Sequence, residues 1–441
     1  MKKLFVRLSP RFLKEFIKFS LLSINRLFEY ISIKKQPFIH EKSLRRLQKK
    51  IKEGKKIKVS FFVVYSSMWK FDRLYKLLEK DYNFEPLIIV CPVMNYGKKN
   101  MIQNMEKDYN YFSTKNYNVI KSYDYNSNKY MNIKKKIRPD IIFYTNPYKR
   151  IIYKKYYITK FKRYLTCYVQ YGFNSYDNPK KFYDQLFYNI LWNFFVETPF
   201  HHELSIVHSR NKGINTFLTG YPGVDDILYN QRTNDSSWKK DDKEITRVIW
   251  APHHSIEKEG MSNFLEYHDT IKFLSKKYFN TIQFAFKPHP LLKQSLFKHP
   301  DWGIDKTNNY YSSWENIENG FIHTDHYVSL FNSSDAMIHD SLSFIAEYLY
   351  TGKPVLYTIR NEKVKTKLNT FGQMALEKLY HGYSTEDIID FLDNIVLHNQ
   401  DVKKKERENF YEKHLKLSEE KNGASMLIIN RLKHLFFTDC D

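Results

Sequence analysis

With 441 residues, 42% hydrophobic and 17% aromatic composition and only 13 glycines, the chain has enough apolar surface for two cores and little room for flexible linkers. Its formal charge is +23, yet 18 Lys/Arg against 4 Asp/Glu fall within Met1 to Lys58, so most of the excess sits at one end. No nucleic-acid-binding module accompanies that charge, which argues against a nucleic-acid partner and for contact with an anionic membrane surface.

Cys91, Cys167 and Cys440 are odd in number and far apart. They fit neither a disulfide framework nor a metal-ligand spacing, and they point to a reducing compartment. The apolar stretch Phe19 to Asn25 is short and runs into Arg26 rather than a cleavage site, so no signal peptide is expected. No run approaches the roughly 20 apolar residues that span a bilayer. The longest candidate, Gln185 to Val196, reads as a buried helix.

In chain order, Ser9-Pro10 is a helix start, and the pattern predicts a helix to about Ile33. Arg11, Lys14, Lys18, Asn25 and Glu29 share one stripe, with Phe12, Phe16, Phe19 and Leu27 opposite and Leu13, Ile17 and Ile24 beside them. Such a basic amphipathic helix suits a membrane interface. A Lys/Arg-rich stretch, Lys42 to Lys58, leads into the first core strand.

Strands are expected at Lys58–Tyr65, Pro86–Cys91, near Val119, and at Asp140–Tyr144, Thr166–Gln170, Phe194–Glu197 and Asn215–Thr219, with a helix at Phe71–Asp81. Short apolar strands separated by helical segments imply a parallel α/β sheet. The polar stretch Gln231 to Glu244 is the expected linker. A second set follows at Arg247–Ala251, Ile282–Phe286, Ala336–Ile338 and Val355–Tyr357. A helix from about Phe344 to Tyr350 should stop at Gly352, and Ser384-Thr-Glu-Asp387 is a capping-box start for Ile388 to Val396.

Two such domains place a ligand in the crevice at the carboxyl ends of their strands. Three turns of the second domain leave strands there: Pro252-His253-His254-Ser255, Lys287-Pro288-His289-Pro290 and His339-Asp340-Ser341-Leu342-Ser343. Their cation, imidazoles and hydroxyls suit a nucleotide diphosphate whose leaving group gains negative charge. Glu347, one helical turn past Ser343, is placed to meet ribose hydroxyls. No HExxH, CxxC or paired-Asp cluster appears, so neither a metal nor another cofactor is expected.

Trp-Ala-Pro-His-His, Lys-Pro-His-Pro, Ser-Ser-Asp-x-Met-Ile-His-Asp-Ser-x-Ser and Gly-Lys-Pro-Val-Leu-Tyr together resemble the CDP-glycerol glycerophosphotransferase family, from about Ile57 to Val396. Gly220-Tyr-Pro also matches that family's end-of-domain turn. The resemblance implies a GT-B fold, an α/β architecture of two Rossmann-like parallel-sheet domains facing across a cleft. The basic amphipathic helix would precede them and C-terminal helices would follow.

It further implies that Lys287, His289, Asp340, Ser341 and Ser343 hold a CDP-glycerol-like donor, with Glu347 nearby. The family's His-Gly general base corresponds here to Tyr171 before Gly172 on the acceptor side, and Ser255 stands where the family has a basic residue. A neutral tyrosine is a poor base at pH 7, so His253 or His254 is the expected substitute.

The resulting division is a membrane-associating segment over 1–56, an acceptor domain over 57–230, a linker over 231–244, a donor domain over 245–400 and C-terminal helices over 401–441. The implied activity is transfer of a glycerol phosphate, or a related polyol phosphate, to a lipid-linked surface polymer at the cytoplasmic face of a bacterial membrane. A capsule glycosyltransferase using a CMP- or UDP-sugar is the alternative. A nucleotide-sugar epimerase and a non-catalytic basic protein are the remoter ones.

Overall fold

The structure, a computed structural model, describes residues 10–95, 97–229, 238, 245–324, 327–417 and 423–437, without the side chains of 10–22. Two parallel sheets dominate it. The first contains β1 (Ile57–Val63), β2 (Phe84–Val90), β3 (Val119–Lys121), β4 (Ile141–Tyr144), β5 (Leu165–Val169), β6 (Asn193–Val196) and β7 (Thr216–Leu218). Its order is β3-β2-β1-β4-β5-β6-β7. The second contains β8 (Thr246–Ala251), β9 (Ile282–Phe286), β10 (Gly320–Ile322), β11 (Ala336–His339), β12 (Val355–Thr358) and β13 (Tyr380–Gly382), in the order β10-β9-β8-β11-β12-β13.

These strands are predominantly apolar because helices cover both faces of each sheet, and β4, β5, β6, β9, β11 and β12 are buried along their whole length. In both sheets the chain reverses its direction of travel beside the first strand, between β1 and β4 and between β8 and β11. Loops leaving such neighbours diverge to opposite faces and open a crevice at the carboxyl edge.

Several expectations need correction. The stretch 185–196 is not one buried helix: Leu186–Asn189 forms a single helical turn and the chain then enters β6. The short edge strands β10 and β13 were not foreseen. Helix Phe344–Glu347 tightens into a 3-10 turn, Tyr348–Thr351, and stops at Gly352, whose φ of 71° is readily adopted only by glycine. Ser384 and Asp387 form the expected reciprocal capping box, but the helix Thr385–Asp390 widens into a π-helical turn, Phe391–Leu397.

The N-terminal helix begins at Pro10 and runs 43 residues to Lys52, well past Ile33. Its second half lies on the first domain. Ile33, Gln36, His40, Ser43 and Leu47 are buried, a spacing of three and four that marks one helix face. Gln36 donates to the carbonyl of Lys162 at 2.7 Å and Ser43 to that of Arg163 at 2.9 Å. The opposite face of the preceding turns, with Ile24, Leu27, Phe28 and Ile31, is exposed. The side chains of the first amphipathic turns fall outside the described residues.

The proposed linker also falls outside them, except Trp238, which is buried against Phe321 and donates to Ser333 at 2.7 Å. The C-terminal helix Ala424–Phe437 packs back on the first domain. Asp225 accepts the backbone N–H groups of Ala424 and Ser425 at 2.9 and 2.8 Å, and Phe436 stacks on Trp192.

The two sheets share one apolar cluster, which runs through Phe173, Tyr221, Ile345, Tyr348, Phe371 and Phe410. Hydrogen bonds reinforce it: Asn369 N–H donates to the carbonyl of Ser175 at 3.0 Å, and Asp177 N–H to that of Lys367 at 2.8 Å.

Candidate active site

The register of the second sheet brings the three polar turns together. Trp250 pairs with Phe286, and Ala251 with His339, so β9, β8 and β11 end side by side. Lys287 N–H then donates to the carbonyl of Trp250 at 2.8 Å, and His289 N–H to that of Pro252 at 3.0 Å. As a result the rings of His253, His254 and His289 stand 4.1 to 4.9 Å apart.

Hydrogen bonds decide what those rings can do. The Nδ1 of His253 accepts the backbone N–H of Ser255 at 3.3 Å and shares a 2.8 Å hydrogen bond with the Ser255 hydroxyl, and that of His289 accepts the N–H of Leu291 at 3.1 Å. Each Nδ1 therefore presents its lone pair inward, which leaves the proton of the neutral ring on Nε2. One nitrogen from each ring lies within 4.8 Å of the others, a spacing a metal could span. Two Nε2–H groups instead make donors, suited to an anion.

Burial and mutual repulsion keep the cluster neutral. The His253 imidazole is held down at about 3 by burial and by His254, while His254 and His289 are likewise depressed, the latter also by Lys287. Lys287 itself is largely buried. A cavity of about 440 Å³ adjoins His254, lined also by Glu257, Gln294, Lys298 and His299. That volume falls within the range of small-molecule sites.

The loop behind the histidines is tightly held. The Arg360 guanidinium donates to the carbonyls of Ile256, Glu257 and Ser262 at 2.9 to 3.2 Å. Gly260 packs so closely that a Cβ there would lie 2.0 Å from the carbonyl oxygen of Ser255.

The third turn differs from expectation. Asp340 is buried, and its carboxylate accepts the N–H groups of His253 and Asn263, so it braces the histidine turn instead of facing a phosphate. The Ser341 amide points inward to Nδ1 of His339 at 3.1 Å. Ser343 makes no side-chain cap, and the helix after it is one turn long, so its dipole adds little.

Glu347 is a further correction. It is 1% exposed and offers no open oxygen to a ribose. Its Oε1 accepts the backbone N–H of Phe173 at 3.0 Å, and its Oε2 accepts the Tyr327 hydroxyl.

Across the crevice, β4 and β5 lead into Tyr148 and Tyr171, whose hydroxyls are 3.2 Å apart. Burial raises the Tyr171 phenol further above its usual value, so it cannot serve as a base near pH 7. Gly172 touches the donor side: a Cβ there would lie 3.6 Å from that of Ser343. Lys70, Asn263, Tyr327 and Arg360 escaped the sequence reading because each is remote in sequence from the turn it supports.

A profile of the family described as CDP-Glycerol:Poly(glycerophosphate) glycerophosphotransferase matches residues 176–432. The chain belongs to that family. This glycerophosphotransferase-family enzyme shares its GT-B fold with solved structures of low identity. The wall teichoic acid polymerase TagF, soaked with CDPG, is 14% identical with a TM-score of 0.58, covering 94% of this chain and 98% of its own. The S. aureus MnaA–UDP structure is 15% identical with a TM-score of 0.52, covering 86% and 96%. UDP-GlcNAc 2-epimerase from Neisseria meningitidis, bound to UDP-GlcNAc, is 14% identical with a TM-score of 0.51, covering 86% and 99%. No curated protein sequence matches the transferase significantly.

Proposed function

We propose that the enzyme transfers glycerol phosphate, or a related polyol phosphate, from a CDP-activated donor to a hydroxyl of a lipid-linked, teichoic-acid-like or capsular surface polymer. The acceptor oxygen attacks the phosphorus that carries the glycerol. The bond from that phosphorus to the bridging oxygen breaks, and CMP leaves with the electron pair. The observation that carries this reading is the gathering of Lys287, whose charge acts on His289, and two histidine Nε2–H donors at the carboxyl edge of the second sheet. They stabilise the charge that builds on the leaving phosphate.

The proton goes to a neutral imidazole. His253 is unsuited, since its Nδ1 lone pair is already engaged. His254 is the better acceptor, because it lines the cavity and burial keeps its ring unprotonated. The demand on this base is modest, because a loose phosphoryl-transfer transition state removes the nucleophile's proton late. That accounts for a site in which Tyr171 can stand where the family resemblance puts a histidine.

In this reading the reaction takes place at the cytoplasmic face of the membrane, and the basic N-terminal helix with its exposed apolar turns supports that location. The test is turnover of CDP-glycerol, CDP-ribitol, CMP-sugars and UDP-sugars by the wild type and by His289→Ala. CDP-glycerol or CDP-ribitol should be consumed, and the variant should lose roughly 100-fold in turnover. Preference for a UDP-sugar, or an unaffected variant, overturns the assignment.

A further inference from the structure

A buried polar chain crosses between the two domains away from the histidines. Lys70, in the loop after β1, is 4% exposed and donates to the Tyr327 hydroxyl of the second domain at 2.9 Å. Its ammonium also lies 4.4 Å from the centre of the Tyr327 ring. Tyr327 donates in turn to Oε2 of Glu347. Oε1 of Glu347 returns to the first domain, taking the N–H of Phe173 at 3.0 Å.

The Glu347 end of this chain borders the reaction crevice. Phe173 follows Tyr171-Gly172 directly, and Gly172 lies against Ser343. Ser343 also hydrogen-bonds Glu347. A lysine and a glutamate so far from water are retained at an electrostatic cost, and replacing such a pair with apolar groups is often neutral for stability. Burial raises the carboxyl of Glu347 and lowers the ammonium of Lys70, while each charge favours the ionised form of the other.

We propose that Lys70, Tyr327 and Glu347 form an interdomain latch that holds the acceptor-side Tyr171–Gly172 turn in register with the donor turn at Ser343. Lys70 and Glu347 are then positioning residues, acting through Phe173 and Ser343 without touching the reacting atoms. The catalytic part of this inference rests on the transferase reading above. The geometric part, that the latch fixes the relative placement of the two domains, does not.

The experiment compares the wild type with Lys70→Met, Glu347→Gln, the double variant Lys70→Met/Glu347→Gln and Tyr327→Phe. CDP-glycerol affinity, turnover, the acceptor KM and small-angle X-ray scattering are measured for each. Each single charge variant should be less stable than the double variant, which removes both buried charges. The double variant should bind CDP-glycerol within about threefold of the wild type, yet turn over at least roughly tenfold more slowly with a raised acceptor KM. Its radius of gyration should increase.

A double variant that folds and turns over like the wild type overturns the proposal, because the network is then only structural. If the double variant does not fold, Tyr327→Phe decides in the same way. If the wild type neither binds nor consumes CDP-glycerol, the transferase reading falls and scattering alone judges the latch. An unchanged radius of gyration in the double variant would then sink it.

Discussion

The carboxylate of Asp340 accepts the backbone N–H of His253, 87 residues earlier in the chain, across the switch point of the second sheet. The same carboxylate takes Asn263 N–H at 2.7 Å, so one buried side chain fixes both ends of the histidine loop. Burial pushes Asp340 up from 3.8 to about 6. A carboxyl whose folded value is raised contributes stability below its unfolded pKa and loses it as pH rises through the folded value. Asp340→Asn should therefore lose donor affinity while gaining stability relative to the wild type as pH rises from about 4 to above about 6, by up to about 3 kcal/mol. Urea unfolding across that window reads the difference, and a constant offset between the two proteins refutes it.

Donor binding should take up protons. Burial depresses all three imidazoles, aided at His253 by His254 and at His289 by both neighbouring rings and Lys287, so the rings of the free site are unprotonated at pH 7. A bound pyrophosphate favours the protonated ring, whereas Lys287 opposes it, Glu257 assists at His254 and Asp340 lies behind His253. The complex then holds more protons than the free protein, and affinity for CDP-glycerol rises as pH falls from about 8 to about 6. Calorimetry in two buffers of different ionisation enthalpy measures the uptake directly. Release of protons, or none exchanged, refutes the uptake, and the latter would leave the neutral Nε2–H groups as the whole imidazole contribution to anion binding.

Most of the sheet framework was legible because strands buried on both faces are predominantly apolar, as in Ile141–Tyr144. The three turns were legible because sheet topology alone brings strand ends together. Edge strands such as Tyr380–Gly382 were not, being short and half polar. The second half of the N-terminal helix was missed for a related reason. It buries Gln36, His40 and Ser43, which a hydrophobic pattern counts as surface. The tertiary roles of Asp340 and Glu347 were also hidden, since a carboxylate's partners can be backbone N–H groups from anywhere in the chain.

Asp225 ties the C-terminal helix to the first domain by accepting the N–H groups of Ala424 and Ser425. Those are among the amides a helix start leaves unpaired. Asp225→Ala should cost about 2 kcal/mol through lost capping and the buried donors it strands. Protease sensitivity should appear first at the junction before 424. Thermal unfolding and limited proteolysis check this, and an unchanged midpoint with intact protection would show that the helix is held by its apolar face alone.

The N-terminal helix fixes its own orientation. Glu29 pairs with Arg210 at 2.7 Å and Ser32 accepts from Lys162 at 2.6 Å, which turns Leu27, Phe28 and Ile31 outward. Phe28 is 66% exposed, so replacing it should not disturb the fold. A phenylalanine that leaves water contributes about 2 kcal/mol, so Phe28→Glu should weaken partitioning onto anionic vesicles at least roughly tenfold. The unfolding midpoint should not change, and raised salt should weaken binding of the wild type because lysines and arginines supply the rest. Vesicle co-sedimentation with anionic and zwitterionic lipids separates the two contributions. Equal binding of wild type and Phe28→Glu to anionic vesicles would remove this face from the membrane contact.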